Sequence, residues 1–468
     1  MRFVIPICCA AVAVPGWAFA QPSISDLSST NLTAGDTYSI SGSDFGTKDP
    51  VEPLSFDDFE DGSLGEILGT AKVGRGWSHQ ASVDNGLCNG DPCTHYSDEI
   101  VHGGLQSAKV EVDQYGFNFF GWTSSDNFRE IYVRYWRYFS PYVADLSNIC
   151  NHKQIYIYNS HGDDPQWLLG AVQSPGEPWP INTQGACTTT FTDLAGIDRR
   201  TNVSYPGASF VPGEVSQWKS WELYLRNDSP ASAENGAEYL WVDGKLLQGN
   251  IEYSRPDYSS PNLELTDREH VNLISNDCPV QDITMQDVRM GAMVHNDDPC
   301  SSRDTPGQPD VTYLDDVYID QTRARIEICD AATRSAKEQM GAVCEIQVPR
   351  VEWSSTAIQF QAHQGSFASG QSLYLYVVDA SGAANEDGFA VTFGGSEPPP
   401  DGGTGAGGVG GSAGVDAGTG GDPPSAAPAS DDDGCSCRAA PVFSSSGAKA
   451  LAIGLLMVLR RRRRRSLA

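Results

Sequence analysis

Basic residues are scarce in this sequence. The 468-residue chain carries 31 Lys and Arg against 60 Asp and Glu, a formal net charge of −29. Residues 21–434 hold all 60 acidic residues and only 22 of the 31 bases, which leaves −38 there. A surface of that sign repels phosphate backbones and anionic lipid, so nucleic acid is excluded as a partner. Long helical periodicity is also missing, which argues against a helical bundle. No phosphate loop and no recognisable Ser-His-Asp arrangement is present. The body lacks the tight C-x-x-C pairs of a cysteine-built zinc module. The apolar run Gly447–Leu459 has thirteen residues, short of the roughly twenty that span a bilayer as a helix.

The two ends carry sorting information. Arg2, the apolar stretch Phe3 to Val14 and the small-residue triplet Ala18-Phe19-Ala20 form the three regions of a secretory signal. Residues 1–20 are therefore expected to be removed, with Gln21 first in the mature chain. At the other end, Gly434-Cys435-Ser436-Cys437 precedes the apolar run, a predicted C-terminal apolar helix, and then Arg460 to Arg465. Clustered arginines stay on the cytoplasmic side of a membrane. In this order the parts of 435–468 resemble the MYXO-CTERM sorting signal. The resemblance implies a sorting protease acting near Cys435, transient anchoring, and display at the cell surface or release from it. An ordinary tail anchor leaves Cys435 unexplained.

Of the twelve cysteines, Cys8 and Cys9 leave with the signal, and Cys435 and Cys437 belong to the tail. The even number remaining in an exported chain argues for disulfides. Proximity suggests Cys88–Cys93, Cys150–Cys187, Cys278–Cys300 and Cys329–Cys344, although sequence does not choose among the many pairings such a set allows.

Residues 396–434 are almost wholly Gly, Ser, Ala, Pro, Thr and Asp, too polar to bury a core, and are expected to form a disordered stalk. Upstream, short β-branched and aromatic runs broken by Gly, Asn, Asp and Pro predict an all-β body, with Ala331 to Met340 its one helical candidate. Leu32 to Gly46 contains G-x-x-Y-x-I-x-G-x-x-F-G and resembles the opening strands of an IPT/TIG immunoglobulin-like domain. The matching second half, Val351 to Ile358 and Gly370 to Phe393, comes nearly three hundred residues later. Too few strands lie in either half for an independent sandwich. The expectation is therefore one small β-sandwich split into 21–49 and 323–395, with 50–322 inserted between the halves. Two separate small modules are the alternative.

The inserted segment opens with Phe56-Asp-Asp-Phe-Glu-Asp-Gly-Ser-Leu64 and closes with Tyr313-Leu-Asp-Asp-Val-Tyr-Ile-Asp320. Between them stand Trp218-Lys-Ser-Trp-Glu and Leu240-Trp-Val-Asp-Gly-Lys245. This succession resembles the concanavalin A-like lectin/glucanase jelly roll in its polysaccharide-lyase versions. In such a fold, alternate residues of each strand face the core or a groove. Parity assigns Ile131, Val133, Tyr135, Phe139, Ile155 and Ile157 to the core. Tyr132, Arg134, Trp136, Tyr224, Tyr239, Trp241 and His295 then line the groove with His152, Gln154, Tyr156, Tyr158 and Arg289.

Aromatic rings pack on sugar C–H faces, while Arg, Gln and His bind hydroxyls and carboxylates, so this set suits an extended acidic glycan. Segment 50–322 has no E-x-D-x-x-E run to place two carboxylates roughly 5 Å apart, which disfavours retaining hydrolysis. β-Elimination from a uronate instead needs a Tyr or His near the C5 proton and cations or donors at the carboxylate. Arg134, His152, Gln154, Tyr156, Tyr158 and Arg289 form that candidate catalytic set, with Tyr132, Trp136, Tyr224, Tyr239, Trp241 and His295 as glycan contacts. Asp57, Asp61 and Asp316 are an oxygen-rich candidate set for structural calcium; turn-forming aspartate is the commoner role. No other cofactor is indicated. The leading reading is a surface-displayed protein that engages extracellular polysaccharide, with lyase activity open; the rival is a non-catalytic adhesin or envelope structural protein.

Overall fold

Strand Glu130–Phe139 shows how the chain is layered. Its alternation predicts one buried face, yet every residue from Ile131 to Arg137 is buried. Its neighbour Trp218–Arg226 pairs with it antiparallel, Leu225 opposite Ile131 and Glu222 opposite Arg134, and is buried from Ser220 to Leu225. A sheet covered on both faces is a middle layer, so two further layers must flank it.

The computed structural model describes residues 20–80, 94–112, 117–139, 152–159, 165–171, 181–183, 216–227, 235–248, 284–294, 310–340 and 342–394. The predicted signal, stalk and tail lie outside them, as do Cys88, Cys93, Cys150, Cys187, Cys278, Cys300, Cys435 and His295. Among the described residues, no helix is long and apolar enough to cross a membrane.

The middle layer is a nine-stranded sheet. Its main path runs Lys245–Gln248, Ala237–Val242, Trp218–Arg226, Glu130–Phe139, Asp310–Asp320, Ser55–Asp57 and Val73–Gly74, with Ser107–Val112 and His95–Ser97 attached beside Asp310–Asp320. Against one face packs a six-stranded sheet, ordered Ile181–Thr183, Pro165–Ala171, His152–Asn159, Met285–Val294, Phe117–Phe128 and Ser78–Gln80. Ile131, Val133, Tyr135 and Phe139 from the first sheet meet Ile155, Ile157, Val288 and Met290 from the second in one core. Their alternation in sequence gives the apolar side that each sheet turns inward.

The third layer is an eight-stranded sheet drawn from both ends of the described chain. Its order is Ser23–Leu27, Thr37–Ser43, Ala357–Gln361, Cys344–Trp353, Arg325–Cys329, Leu373–Val378, Phe389–Phe393 and Asn31–Leu32. Ile40 lies opposite Ile358 and Tyr38 opposite Phe360. Leu32, Ile40, Phe45, Ile326, Trp353, Phe360 and Phe393 share its apolar cluster. Cys329 and Cys344 face each other across adjacent strands and are disulfide-bonded. The helix Arg334–Met340 lies within the stretch that the sequence marks as helical. The described body is thus almost wholly β, as its composition predicts.

Candidate functional site

The predicted groove residues divide between two sheets that do not share a face. Tyr132, Arg134 and Trp136 project from Glu130–Phe139 on the side away from the core that joins the two larger sheets, and that side is occupied by strand Cys344–Trp353. The Trp136 Nε1 donates to Glu345 Oε2 at 2.9 Å, and the Arg134 guanidinium donates to the Cys344 carbonyl. Tyr132, Tyr224 and Tyr239 belong to an apolar cluster with Ile346 and Val348, and Trp241 packs at its margin. The Arg323 guanidinium lies 4.9 Å from the Tyr224 ring centre and 5.0 Å from that of Tyr239.

These residues therefore form an interface between layers. The expectation that Tyr132, Arg134, Trp136, Tyr224, Tyr239 and Trp241 line an open groove with Tyr156 and Arg289 is corrected. Parity identified their face; what covers it comes from a strand far away in sequence.

Charge compensation explains how so polar a face can be buried. Glu222 accepts from the Tyr132 hydroxyl at 2.7 Å and lies 3.8 Å from Arg134 and 3.5 Å from Arg325. Arg325 in turn meets Glu327 at 2.6 Å, and Glu327 also binds Lys337. Burial opposes ionisation of Glu327, but Arg325 and Lys337 outweigh it and hold the carboxyl well below the ordinary glutamate range.

Gln154 is also displaced from its predicted role. Ladder registers on both sides of His152–Asn159 shift between Lys153 and Ile155, and such an irregularity breaks the two-residue period. Gln154 is buried, and its Oε1 accepts from the Tyr135 hydroxyl and Arg137 Nη1, each at 3.2 Å. It is an internal acceptor for the charged Arg137, which also donates to Thr312 Oγ1 at 3.0 Å.

The residues that do come together lie on the six-stranded sheet, on the side opposite its core. Tyr156 and Arg289 are cross-strand partners, and Gly121 faces Arg289 from the next strand. The Arg289 guanidinium sits 3.9 Å from the Tyr158 ring centre and donates to Asp287 Oδ2 at 2.8 and 3.1 Å. Phe119 packs edge-on to Tyr156 at 5.0 Å, and Tyr158 lies 5.8 Å from it on the other side. Burial pushes the Tyr156 hydroxyl above the ordinary tyrosine range, Tyr158 adds to this, and Arg289 opposes it. Tyr156 accordingly stays protonated at neutral pH. Phe119 and Asp287 are further members: Asp287 shares the strand parity of Arg289, but its pairing with the guanidinium, like the Phe119 contact, appears only once the strands are aligned. The strand position of His152 is described but its side chain is not.

The expected oxygen-only calcium set is not assembled. Asp57 accepts from Trp77 Nε1 at 2.6 Å and from the Phe59 amide at 3.0 Å, and Asp61 is exposed. Asp316 instead faces His363, 2.8 Å from its Nε2.

No protein-family model matches the sequence, and no curated protein does. Among solved structures, the chain is similar to a double mutant of the alginate lyase Aly36B in complex with an alginate trisaccharide. The TM-score is 0.35 and the identity 10%, over 58% of this chain and 100% of that one. Aly36B itself gives a TM-score of 0.32 at 11% identity, over 57% of this chain and 97% of that one. The alginate lyase vAL-1 from Chlorella virus gives 0.32 at 11% identity, over 48% and 89%.

Proposed function

We propose that this chain is an exported surface protein that engages an extracellular acidic polysaccharide through the outer face of its six-stranded sheet. The observation that carries this reading is the row of Phe119, Tyr156, Tyr158, Asp287 and Arg289. It offers the half-buried Tyr158 ring for a sugar face beside a guanidinium held in place by that ring and a carboxylate, with Phe119 and Tyr156 buried next to them as support. Arg289 keeps 27% of its side chain accessible, so it can meet a uronate carboxylate.

For β-elimination, His152 of the predicted set would take the C5 proton as base, Arg289 would neutralise the substrate carboxylate as the C4–C5 double bond forms, and protonated Tyr156 would donate to the leaving oxygen. Export rests on the signal pattern at residues 1–20, and surface display on the Cys435 motif, apolar run and arginine cluster of 435–468. The split immunoglobulin-like module 21–49 and 323–395 is read as the carrier of the inserted jelly roll, and 396–434 as the stalk.

The test is a panel of uronate polymers and neutral glycans offered to the purified chain, with binding and ultraviolet absorbance of unsaturated chain ends both recorded. Binding to uronate polymers is expected. Binding without rising absorbance would mark a lectin-like protein and remove the lyase step, and silence in both readouts would remove the whole reading.

A further inference from the structure

Three potential metal ligands converge where the middle layer meets the third. His102 comes from the loop before Ser107–Val112, Asp316 from strand Asp310–Asp320, and Glu345 from strand Cys344–Trp353. One donor atom from each lies within 4.8 Å of the others. His102 Nε2 is 2.9 Å from Glu345 Oε1.

Each of these groups is oriented by its surroundings. The His102 ring stacks on Trp136 with centres 3.8 Å apart, and its amide donates to Asp315 Oδ2 at 3.0 Å. Glu345 accepts from Trp136 Nε1 at 2.9 Å and from Ser366 Oγ at 2.8 Å. Gly365 is so close to the Glu345 carboxyl that a Cβ there would lie 2.4 Å from its Cδ. Pre-oriented ligands with outer hydrogen-bond partners are what a metal site requires.

A separate observation points to a missing partner. Asp316 is only 7% exposed, yet its Oδ2 has no hydrogen-bond partner among the described residues, and the residue holds a φ of 48°. A buried carboxylate oxygen left unpaired is costly, as is that backbone conformation in a residue other than glycine. Asp316 also lines a cavity of about 450 Å³, shared with Asp58, Glu60, Lys72 and His363, which gives an ion a path to the cluster.

We infer that His102, Asp316 and Glu345 bind a divalent transition-type cation, zinc by preference, that joins the two layers. A nitrogen donor beside two carboxylates suits zinc, whereas calcium and magnesium favour all-oxygen shells. Coordination would give Asp316 Oδ2 the partner it lacks. The His102–Glu345 contact would open to admit the ion between them.

The test uses the full-length chain stripped with a chelator and then dialysed against zinc. About one zinc per chain is expected by elemental analysis, with a melting temperature several degrees higher, while calcium at the same concentration shifts it little. Asp316→Asn should lose both the zinc and the shift. Asparagine keeps the side-chain shape, tolerates the φ of 48° and retains an oxygen facing His363, so that variant should stay folded. Should it fail to fold, cobalt(II) added to the wild-type chain provides the second readout: visible bands of a nitrogen- and oxygen-ligated ion, without thiolate charge transfer, are expected, and their absence overturns the site. Unchanged zinc uptake by Asp316→Asn, no zinc retained by the wild type, or a larger shift with calcium than with zinc also overturns it.

Discussion

Trp136 Nε1 reaches across 209 residues of sequence to the buried carboxylate of Glu345, at 2.9 Å. The side chain that looks most like a sugar platform in strand Glu130–Phe139 is thereby part of the seam between two layers. Trp136→Ala removes a large buried ring and leaves Glu345 short of a donor. It should lower unfolding free energy by about 3–5 kcal/mol, measured by denaturant titration, while polyuronate affinity of the folded fraction stays within twofold. A large affinity loss at unchanged stability would return Trp136 to the binding surface.

Arg289 should behave in the opposite way. Its pairing with Asp287 is partly exposed, so the stability lost in Arg289→Ala is expected to stay within about 1 kcal/mol. A charged hydrogen bond to a uronate contributes about 1.5–3 kcal/mol, so affinity should fall about tenfold or more. Titration calorimetry with an oligouronate measures this.

Lys48 and Asp320 form a second tie between layers, 2.8 Å apart with both side chains inaccessible. The same ammonium donates to the carbonyls of Pro50 and Val51, and Asp320 accepts from the Tyr318 hydroxyl. Lys48→Met leaves a buried carboxylate without its cation and should cost about 3–5 kcal/mol. Adding Asp320→Asn should recover part of that loss, and a double-mutant cycle by thermal or chemical unfolding gives the coupling.

The pH dependence of Glu327 has a defined sign. Its folded carboxyl titrates well below the ordinary value of 4.5 because Arg325 and Lys337 overcome burial. The stability it contributes is fully present above about pH 4.5 and is lost as pH falls from there through the folded value. The destabilisation by Glu327→Gln should be largest near pH 7 and shrink steadily below pH 4.5. A difference that stays constant down to pH 3 would mean that the carboxylate charge is not what holds this network.

The all-β class was legible because β-branched and aromatic alternation is a local property. The same pattern found the shared core of Ile131, Val133, Tyr135, Ile155 and Ile157. It could not say what covers Tyr132 and Trp136, since Ile346 and Glu345 reach them only through long-range packing. Nor could it show that a register shift after Lys153 turns Gln154 inward to Tyr135 and Arg137. Of the six-stranded sheet's row, Tyr156, Tyr158 and Arg289 were readable from parity. Phe119 and Asp287 were not singled out, because their importance appears only once the strands are aligned.

Which face meets the sugar is tested most directly by equilibrium binding of a uronate polymer to the wild-type chain, Arg289→Ala and Trp136→Ala, with each variant's folded fraction measured in parallel. Wild-type binding that falls about tenfold or more in Arg289→Ala and persists in folded Trp136→Ala is the predicted result. No wild-type binding, or binding lost in folded Trp136→Ala and kept in Arg289→Ala, would contradict it.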